Sequence, residues 1–486
     1  MLLPSLIAAQ VAACSGGPAD QQPSIAIPAA FSQSSPVGEP EALWWRAFGD
    51  PLLDRLIAEA LNSNLDVRQA VLRVDAARHQ ARIVDAARQP TIVATAQASD
   101  TRLSKTTSFA SLLGGSSAPG SSPVGEPGTT VDTYQVGFDA SWELDLFGGN
   151  RRAVEAAQAR TEAATWNRRD AEIILTAEVA RGYLNYRALE QRIAIADQLL
   201  AVRDEALDYS QVRRRHGLTT TLDERRAERD IAADIAARQD WIAQKGAQAH
   251  ALAILLARPP LGLTAELAAM SARTSTPRDI PVGLPSELLL RRPDLRAAER
   301  DLAAATADIG VAAADLYPSF SLTGAVELVS GSLSRLISGD SFQPTIAAGL
   351  VAPLLDGGRR RATVDLKQTR AQQALLTYQG AVLTALKDVE DALSRLSADR
   401  SREDQFRVSE AAARDALATT QAQSKAGLAT GLDVLAAQAL LLSASDRLAQ
   451  ARAATDQDVV ALYKALGGGW PPDNGNDRPA ADAGGN

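Results

Sequence analysis

Strict alternation of apolar and polar residues is the clearest pattern in this chain. Between Tyr134 and Leu146, apolar residues occupy every second position, and polar or small residues fill the positions between them. Because successive side chains of a strand point to opposite faces, this spacing predicts a half-exposed β-strand over 131–147. Weaker forms of the pattern predict three partner strands, at 91–99, 319–329 and 344–355.

Very long stretches with helical spacing follow two of these strands. Residues 153–216 lack proline, and at 1.5 Å per residue they predict a helix of roughly 96 Å. Apolar residues that recur every seven positions indicate a coiled-coil contact with a returning helix. These positions are Val179, Tyr186, Ile193, Leu200 and Leu207 on the outgoing arm, and Ile235, Ile242, Ala249 and Leu256 on the return. We expect helical hairpins over 153–257 and 359–466, with a weaker seam in the second at Glu403 and Glu410.

The two halves of the chain repeat one another. A glycine pair lies between a predicted strand and the long helix that follows it. A second pair occupies the same position 209 residues later. The pairs are Gly148-Gly149 and Gly357-Gly358. A period of this kind predicts two copies of one structural unit. The expected organisation is a first repeat at 44–257, a linker at 258–290, a second repeat at 291–466 and a disordered tail at 467–486.

The N-terminal segment predicts a lipid anchor. Residues 6–13 form a short apolar stretch that ends in small residues directly before Cys14, the only cysteine. This resembles a secretory signal peptide followed by the cysteine that bacterial lipoproteins acylate, although no Lys or Arg precedes the stretch. We expect a signal peptide at 1–13, lipidation of Cys14 and a flexible tether at 14–43. A buried structural thiol is the alternative interpretation of Cys14.

The packed part of the chain is expected to begin with the pair Trp44-Trp45. Asp50 and Pro51 follow, and they predict the N-cap and the first residue of a helix. The tryptophan pair is interpreted as an anchor in the core, with a ligand platform as the alternative.

Composition argues against nucleic-acid binding and against catalysis. The chain has 50 basic and 58 acidic residues, and no segment combines clustered base with aromatic residues. His79, His216 and His250 share no ligand spacing with one another or with the single cysteine, and no phosphate loop or nucleophile motif is present. We therefore expect no enzymatic activity, no metal site and no cofactor. No run reaches the ~18 apolar residues of a spanning helix, so a membrane crossing would use the strands.

The number of predicted strands has a consequence for assembly. A lipid bilayer tolerates no open sheet edge, and closed membrane barrels begin at about eight strands. Four strands cannot close, so other chains must supply the rest. A cyclic homotrimer would give a 12-stranded barrel. A soluble four-stranded sheet covered by helices is the alternative.

Four further motifs, in order along the chain, resemble the TolC-like outer membrane efflux factors, and specifically their NodT/OprM-type lipoprotein branch. The motifs are WWRAFGDP from Trp44, LLRRPDLRAAE from Leu289, IGVA from Ile309 with LYPSF from Leu316, and LYKALGGGW from Leu462. The resemblance implies a mostly α fold of two tandem repeats that forms a trimeric 12-stranded β-barrel in the bacterial outer membrane and an α-helical barrel in the periplasm. It also implies an equatorial collar near residues 258–290.

The same resemblance implies the function and its partners. The expected function is passive export of drugs and toxic small molecules, as the outer membrane channel of a tripartite efflux pump. A periplasmic adaptor and an inner-membrane RND-type transporter would be the partners, with outer membrane lipid around the barrel. A type I secretion channel and a non-conducting coiled-coil scaffold remain as alternatives, and a bilayer conductance measurement separates the scaffold from the channels.

Site residues follow from the resemblance by position. Two helical turns match the motif at which the adaptor docks, and simple helix caps are the alternative interpretation. These turns contain Gly217, Leu218 and Thr219, and Gly427, Leu428 and Ala429. Asp223 and Asp433 lie just beyond them and are candidate gate carboxylates, since three-fold symmetry would gather each into a ring. Solvated helix carboxylates are the alternative, and Ala436 stands where some relatives carry another acid.

Overall fold

The computed structural model describes residues 27–33, 41–102, 104, 130–269, 276–277 and 280–468. Long helices dominate, and four strands interrupt them. In chain order the elements are α1 (Pro51–Ser63), α2 (Leu65–Ala86), β1 (Thr91–Arg102), β2 (Thr130–Leu144), α3 (Gly149–Arg215), α4 (Thr221–Leu255), α5 (Thr264–Ala269), α6 (Leu288–Arg291), α7 (Pro293–Ala314), β3 (Ser319–Ser330), β4 (Phe342–Val351), α8 (Arg359–Lys425) and α9 (Gly431–Ala465).

The chain divides into two compact units. Of the described residues, 76–161 and 301–375 belong to a sheet unit, which contains all four strands. The other described residues form a helical unit.

The sheet unit is built on one antiparallel sheet with the order β1-β2-β3-β4. Each strand of this meander runs opposite to its neighbour, and the two outer strands, β1 and β4, have one paired edge each within the described residues. β4 stops at Val351, short of the predicted end, because Pro353 has no amide hydrogen to continue a ladder. Among the described residues, the outer edges of β1 and β4 are therefore open.

The two faces of the sheet differ in chemistry, as the alternating pattern requires. Phe138 of β2 pairs with Ala94 of β1 and Val326 of β3 on an apolar face. Aligned on that face are Ile92, Val136, Trp142, Leu322, Leu328, Phe342, Ile346 and Leu350. The opposite face is polar, and its side chains form hydrogen bonds between strands. For example, Gln135 Nε2 donates to Glu327 Oε1 at 2.6 Å. In the single chain the apolar side chains are uncovered: Ile346 is 85% exposed and Phe138 61%.

The helical unit has a large apolar core that starts at the predicted tryptophan pair. Trp44 is buried and stacks on Tyr463 at 5.0 Å between ring centroids. Asp50 caps α1 through the amides of Leu52 and Leu53, as its position before Pro51 predicted. The core draws on α1, α3, α4, α8 and α9 and on residues next to their ends. It includes Phe48, Leu52, Leu56, Tyr183, Leu252, Leu256, Leu393, Val459 and Leu466.

Two long antiparallel hairpins, α3 with α4 and α8 with α9, stand where the two helical hairpins were expected. Val179 and Tyr186 of the predicted seam are buried, whereas Ile235 on the return arm is 45% exposed. In the second hairpin, Glu403 and Glu410 occupy the seam and are held by arginines one turn away, Arg407 and Arg414, each at 2.6 Å. The acidic seam positions are thus accommodated as ion pairs.

Part of the predicted tether is packed. Phe31 lies against the core of the helical unit, and the backbone amide of Ser32 donates to Glu390 Oε1 of α8 at 2.9 Å. The Ser32 hydroxyl donates to the second oxygen of the same carboxylate. The composition of this segment indicated no such contact.

Candidate functional site

The strand-to-helix turns are formed by the glycine pairs and by a carboxylate in front of each pair. Gly148, Gly357 and Gly358 have positive φ angles of 78°, 65° and 85°, which favour glycine. Asp145 accepts the amide of the third residue of α3 at 2.8 Å. Asp356 accepts the amides of Gly358 and Arg360 at 3.0 and 3.2 Å, ahead of α8.

Gly149 has a different role from its neighbour. It is the first residue of α3, and a Cβ atom there would approach the Ala314 Cβ of α7 to 3.1 Å. The glycine therefore allows the start of α3 and the end of α7 to come close within the sheet unit. The two capping aspartates were missed in the sequence, where an Asp three or four residues before each helix start was the available signal.

Both hairpin tips have the same local structure. Gly217 and Gly427 have φ angles of 71° and 76°. The amide of Leu218 bonds the carbonyl of Arg213 at 2.9 Å, and that of Leu428 bonds Gln423 at 2.8 Å. Together with bonds from the glycine amides, these contacts make two Schellman motifs, which close long helices.

The tips leave their leucines uncovered in the single chain. Leu218 is 66% exposed and Leu428 81% exposed. Beyond each tip a threonine, Thr220 or Thr430, caps the returning helix. The returning arms therefore begin at matched positions.

The two candidate gate carboxylates serve as local caps at these turns. Asp433 accepts the backbone amide and the hydroxyl of Thr430, each at 2.7 Å, in a capping box. Hydrogen bonds from the side chain and then the backbone of Thr430 lower the pKa of Asp433. Asp223 accepts the hydroxyl of Thr219 and lies 3.6 Å from Arg226. Both residues are exposed and lie close to the tips.

Some predicted features lie outside the described residues. Cys14, Trp470 and most of the tail lie outside the part of the chain that the structure describes. Within the described ranges, no group of His, Cys, Asp and Glu side chains is arranged to hold a metal ion. Among the described helices, none combines the length and apolarity needed to cross a bilayer.

Comparison with known proteins shows to which family this chain belongs. The family described as outer membrane efflux protein matches residues 56–257 and 284–468. The chain belongs to this family.

Relatives of the efflux protein cover nearly its whole length. Outer membrane protein OprJ of Pseudomonas aeruginosa is 33% identical over 474 residues, which cover 96% of this chain and 95% of OprJ. The pyoverdine export outer membrane protein OpmQ of Pseudomonas putida is 35% identical over 437 residues, 90% of each chain. The solved outer membrane channel OprN has 33% identity and a TM-score of 0.83, and covers 94% of this chain and 100% of its own.

Membership of the outer membrane efflux family confirms the main predictions. The resemblance to TolC-like efflux factors is correct, and so is the mostly α fold with a small membrane β part. The protein is an outer membrane channel of an efflux system, located in the bacterial outer membrane. The roles of the tips, the gate carboxylates and Cys14 stay predictions.

Proposed function

We propose that the protein is the passive, homotrimeric exit duct of a tripartite efflux pump for drugs and other toxic small molecules. The observation that carries this proposal is the sheet with two open edges and an uncovered apolar face. Contact between lipid hydrocarbon and the apolar face would be favourable. Hydrocarbon cannot form hydrogen bonds, however, so the backbone N–H and C=O groups at the two edges need other partners. Identical neighbours supply those partners in a closed ring.

Strand direction fits closure by copies of the same chain. The four strands alternate in direction, so β4 of one subunit and β1 of the next run antiparallel. Three subunits give 12 strands, within the range of membrane barrels. The polar face, with Gln135 and Glu327, would line the water-filled interior.

The long hairpins support the periplasmic part of the proposal. Two hairpins per subunit give six in a trimer, enough to surround a helical tunnel. The periplasmic adaptor would dock at the two tips, through the exposed Leu218 and Leu428. An inner-membrane RND-type transporter would supply the energy for export through a passive duct.

The gate and the anchor are further parts of the proposal. Rings of Asp223 and Asp433 would place charge at the tunnel entrance and favour cations. Acylation of Cys14 would hold the N terminus in the outer membrane. Intact-mass measurement of the membrane-purified protein tests the anchor, and an unmodified Cys14 would contradict it.

Two measurements test the duct itself. Purified trimer reconstituted in a planar bilayer should conduct, whereas a non-conducting scaffold would not. Deletion of the gene should increase susceptibility to a panel of drugs, and complementation should restore resistance. If the deletion instead abolishes secretion of a protein and leaves susceptibility unchanged, the type I secretion alternative is favoured. A pyoverdine export assay should accompany the panel, since the relative OpmQ is named for pyoverdine export.

A further inference from the structure

Two carboxyl groups face each other across the arms of the second hairpin. Asp399 of α8 and Asp458 of α9 are neighbours across the two arms, one turn away from the 3.1 Å hydrogen bond that Thr455 donates to Glu403. Oδ2 of Asp458 is buried and receives no hydrogen from any group that the structure describes. Two ionised carboxylates can only accept hydrogen bonds, so this contact is unfavourable unless one of them carries a proton.

The neighbouring charges only partly relieve the contact. Arg402 lies 3.2 Å from Asp399, and its side chain is 53% exposed. Arg395 and Arg402 both act on Asp458 from α8, but without a direct ion pair to it among the described contacts. Solvent weakens the attraction of such exposed cations. Burial and the charge of Asp399 therefore prevail, and they raise the pKa of Asp458 to about 6.

A second buried carboxyl group lies two residues away. Asp456 accepts the hydroxyl of Thr276 at 2.6 Å, and Glu403 and Arg452 are the charged groups that act on it. Burial raises the pKa of Asp456 to about 6 as well. This site joins α9 to the linker at Thr276, whereas the Asp399–Asp458 site joins the two arms.

We propose that Asp458 takes up a proton in mildly acidic medium and shares it with Asp399. The resulting carboxyl–carboxylate hydrogen bond ties α8 to α9, and it is lost at neutral pH. The contact is thus a pH-sensitive tie within the second hairpin. It does not depend on the role of the protein as an exit duct.

The direction of the pH effect follows from the pKa of Asp458. A carboxyl group whose pKa is raised on folding stabilises the protein fully below its unfolded value, here 3.8. This contribution declines as the pH rises and is gone above about 6. Within this window each such group lowers the equilibrium constant of folding by up to roughly tenfold for each unit by which the pH rises. The hairpin is accordingly tighter at pH 4.5 than at pH 7.

Thermal unfolding of the full-length protein in detergent between pH 4.5 and 7.5 tests the tie. The wild-type Tm should fall between pH 4.5 and about 6.5 and level off above. In Asp458→Asn the amide donates to Asp399 at every pH, so the slope should decrease and the Tm at pH 7.5 should rise. Part of the remaining slope should come from Asp456 and should disappear in the double variant with Asp456→Asn, while Asp170 and Asp301, whose pKa burial also raises, keep their share.

A matched control uses Asp391→Asn, because Asp391 is an exposed α8 carboxylate paired with Lys387 at 2.8 Å. This variant should keep the wild-type slope. If Asp458→Asn does not fold, Asp399→Asn supplies the same donor from the other arm. A second readout is the infrared band of a protonated carboxyl group at pH 5, which should be smaller in Asp458→Asn. A wild-type Tm independent of pH, or an Asp458→Asn variant that keeps the full slope, would overturn the proposal.

Discussion

At the scale of single residues, Asp50 combines almost complete burial with several hydrogen bonds. It is 1% exposed and accepts the amides of Leu52 and Leu53 at 2.9 and 3.4 Å. It also accepts the hydroxyl of Tyr183 in α3, which in turn accepts Arg187 Nε at 3.0 Å. One carboxylate therefore caps α1 and attaches that helix to α3.

Replacing this carboxylate should destabilise the helical unit. Asp50→Ala removes the cap and leaves the Tyr183 hydroxyl buried without its acceptor, at a cost of about 2–4 kcal/mol in the free energy of unfolding. Denaturant unfolding monitored by circular dichroism measures the loss. Tyr183→Phe keeps the cap but removes the donor to Asp50 and the acceptor of Arg187 Nε, and it should cost about 1–3 kcal/mol. Equal losses in the two variants would show that the cap contributes nothing.

Two glycines, Gly380 inside α8 and Gly427 in the tip that follows it, test the conformational role of the tips. A Cβ atom at Gly427 or Gly380 meets no atom within 4 Å, so sterics with other residues do not differ. Gly427→Ala should destabilise by about 1–2 kcal/mol because φ is positive there. Gly380→Ala, in the helix interior, should stabilise by up to about 1 kcal/mol. Tm shifts of opposite sign are expected, and shifts of the same sign would contradict this explanation.

At the scale of elements, the sheet depends on the separation of its two faces. Phe138 and Gln135 lie on the same strand, close to its centre, and point to opposite faces. The proposed barrel places one in hydrocarbon and the other in water. A substitution with the same residue at both positions therefore compares the two faces directly.

Phe138→Lys should impair assembly in the outer membrane, whereas Gln135→Lys should not. A lysine facing lipid near the middle of the bilayer costs about 2–4 kcal/mol, and one facing the interior remains hydrated. The amount of heat-resistant oligomer in the outer membrane fraction measures the effect. Equal loss in both variants would mean that the alternating pattern does not define a lipid-facing side.

The elements show which features a sequence can predict. Period-two and period-seven patterns located the strands and hairpins because each depends on local geometry and on one buried or exposed face. The tips were also predictable, since Gly217 and Gly427 sit at breaks in the helical pattern. The Asp399–Asp458 contact was not, because two residues 59 positions apart meet only after two helices have packed. The docking of Phe31 was missed for the same reason.

At the scale of the whole molecule, the open edges of the sheet decide the assembly. Within one subunit β1 and β4 are separated by β2 and β3, which places them roughly 14 Å apart at the usual strand spacing. A disulfide requires Cα atoms within about 7 Å. A cross-link between these two strands can therefore form only between subunits.

Cysteine pairs on the polar face test this closure. Thr95→Cys combined, one at a time, with Cys at Gln343, Thr345, Ala347 or Gly349 should give a covalent ladder ending at the trimer mass under oxidising, denaturing electrophoresis. The background is low, because Cys14 is the only natural cysteine and acylation would consume its thiol. Ala94→Cys with the same partners is the control, since its side chain lies on the other face and should not cross-link. A ladder that ends at the dimer, or monomer alone for every pair, would contradict a closed three-fold barrel and with it the proposed duct.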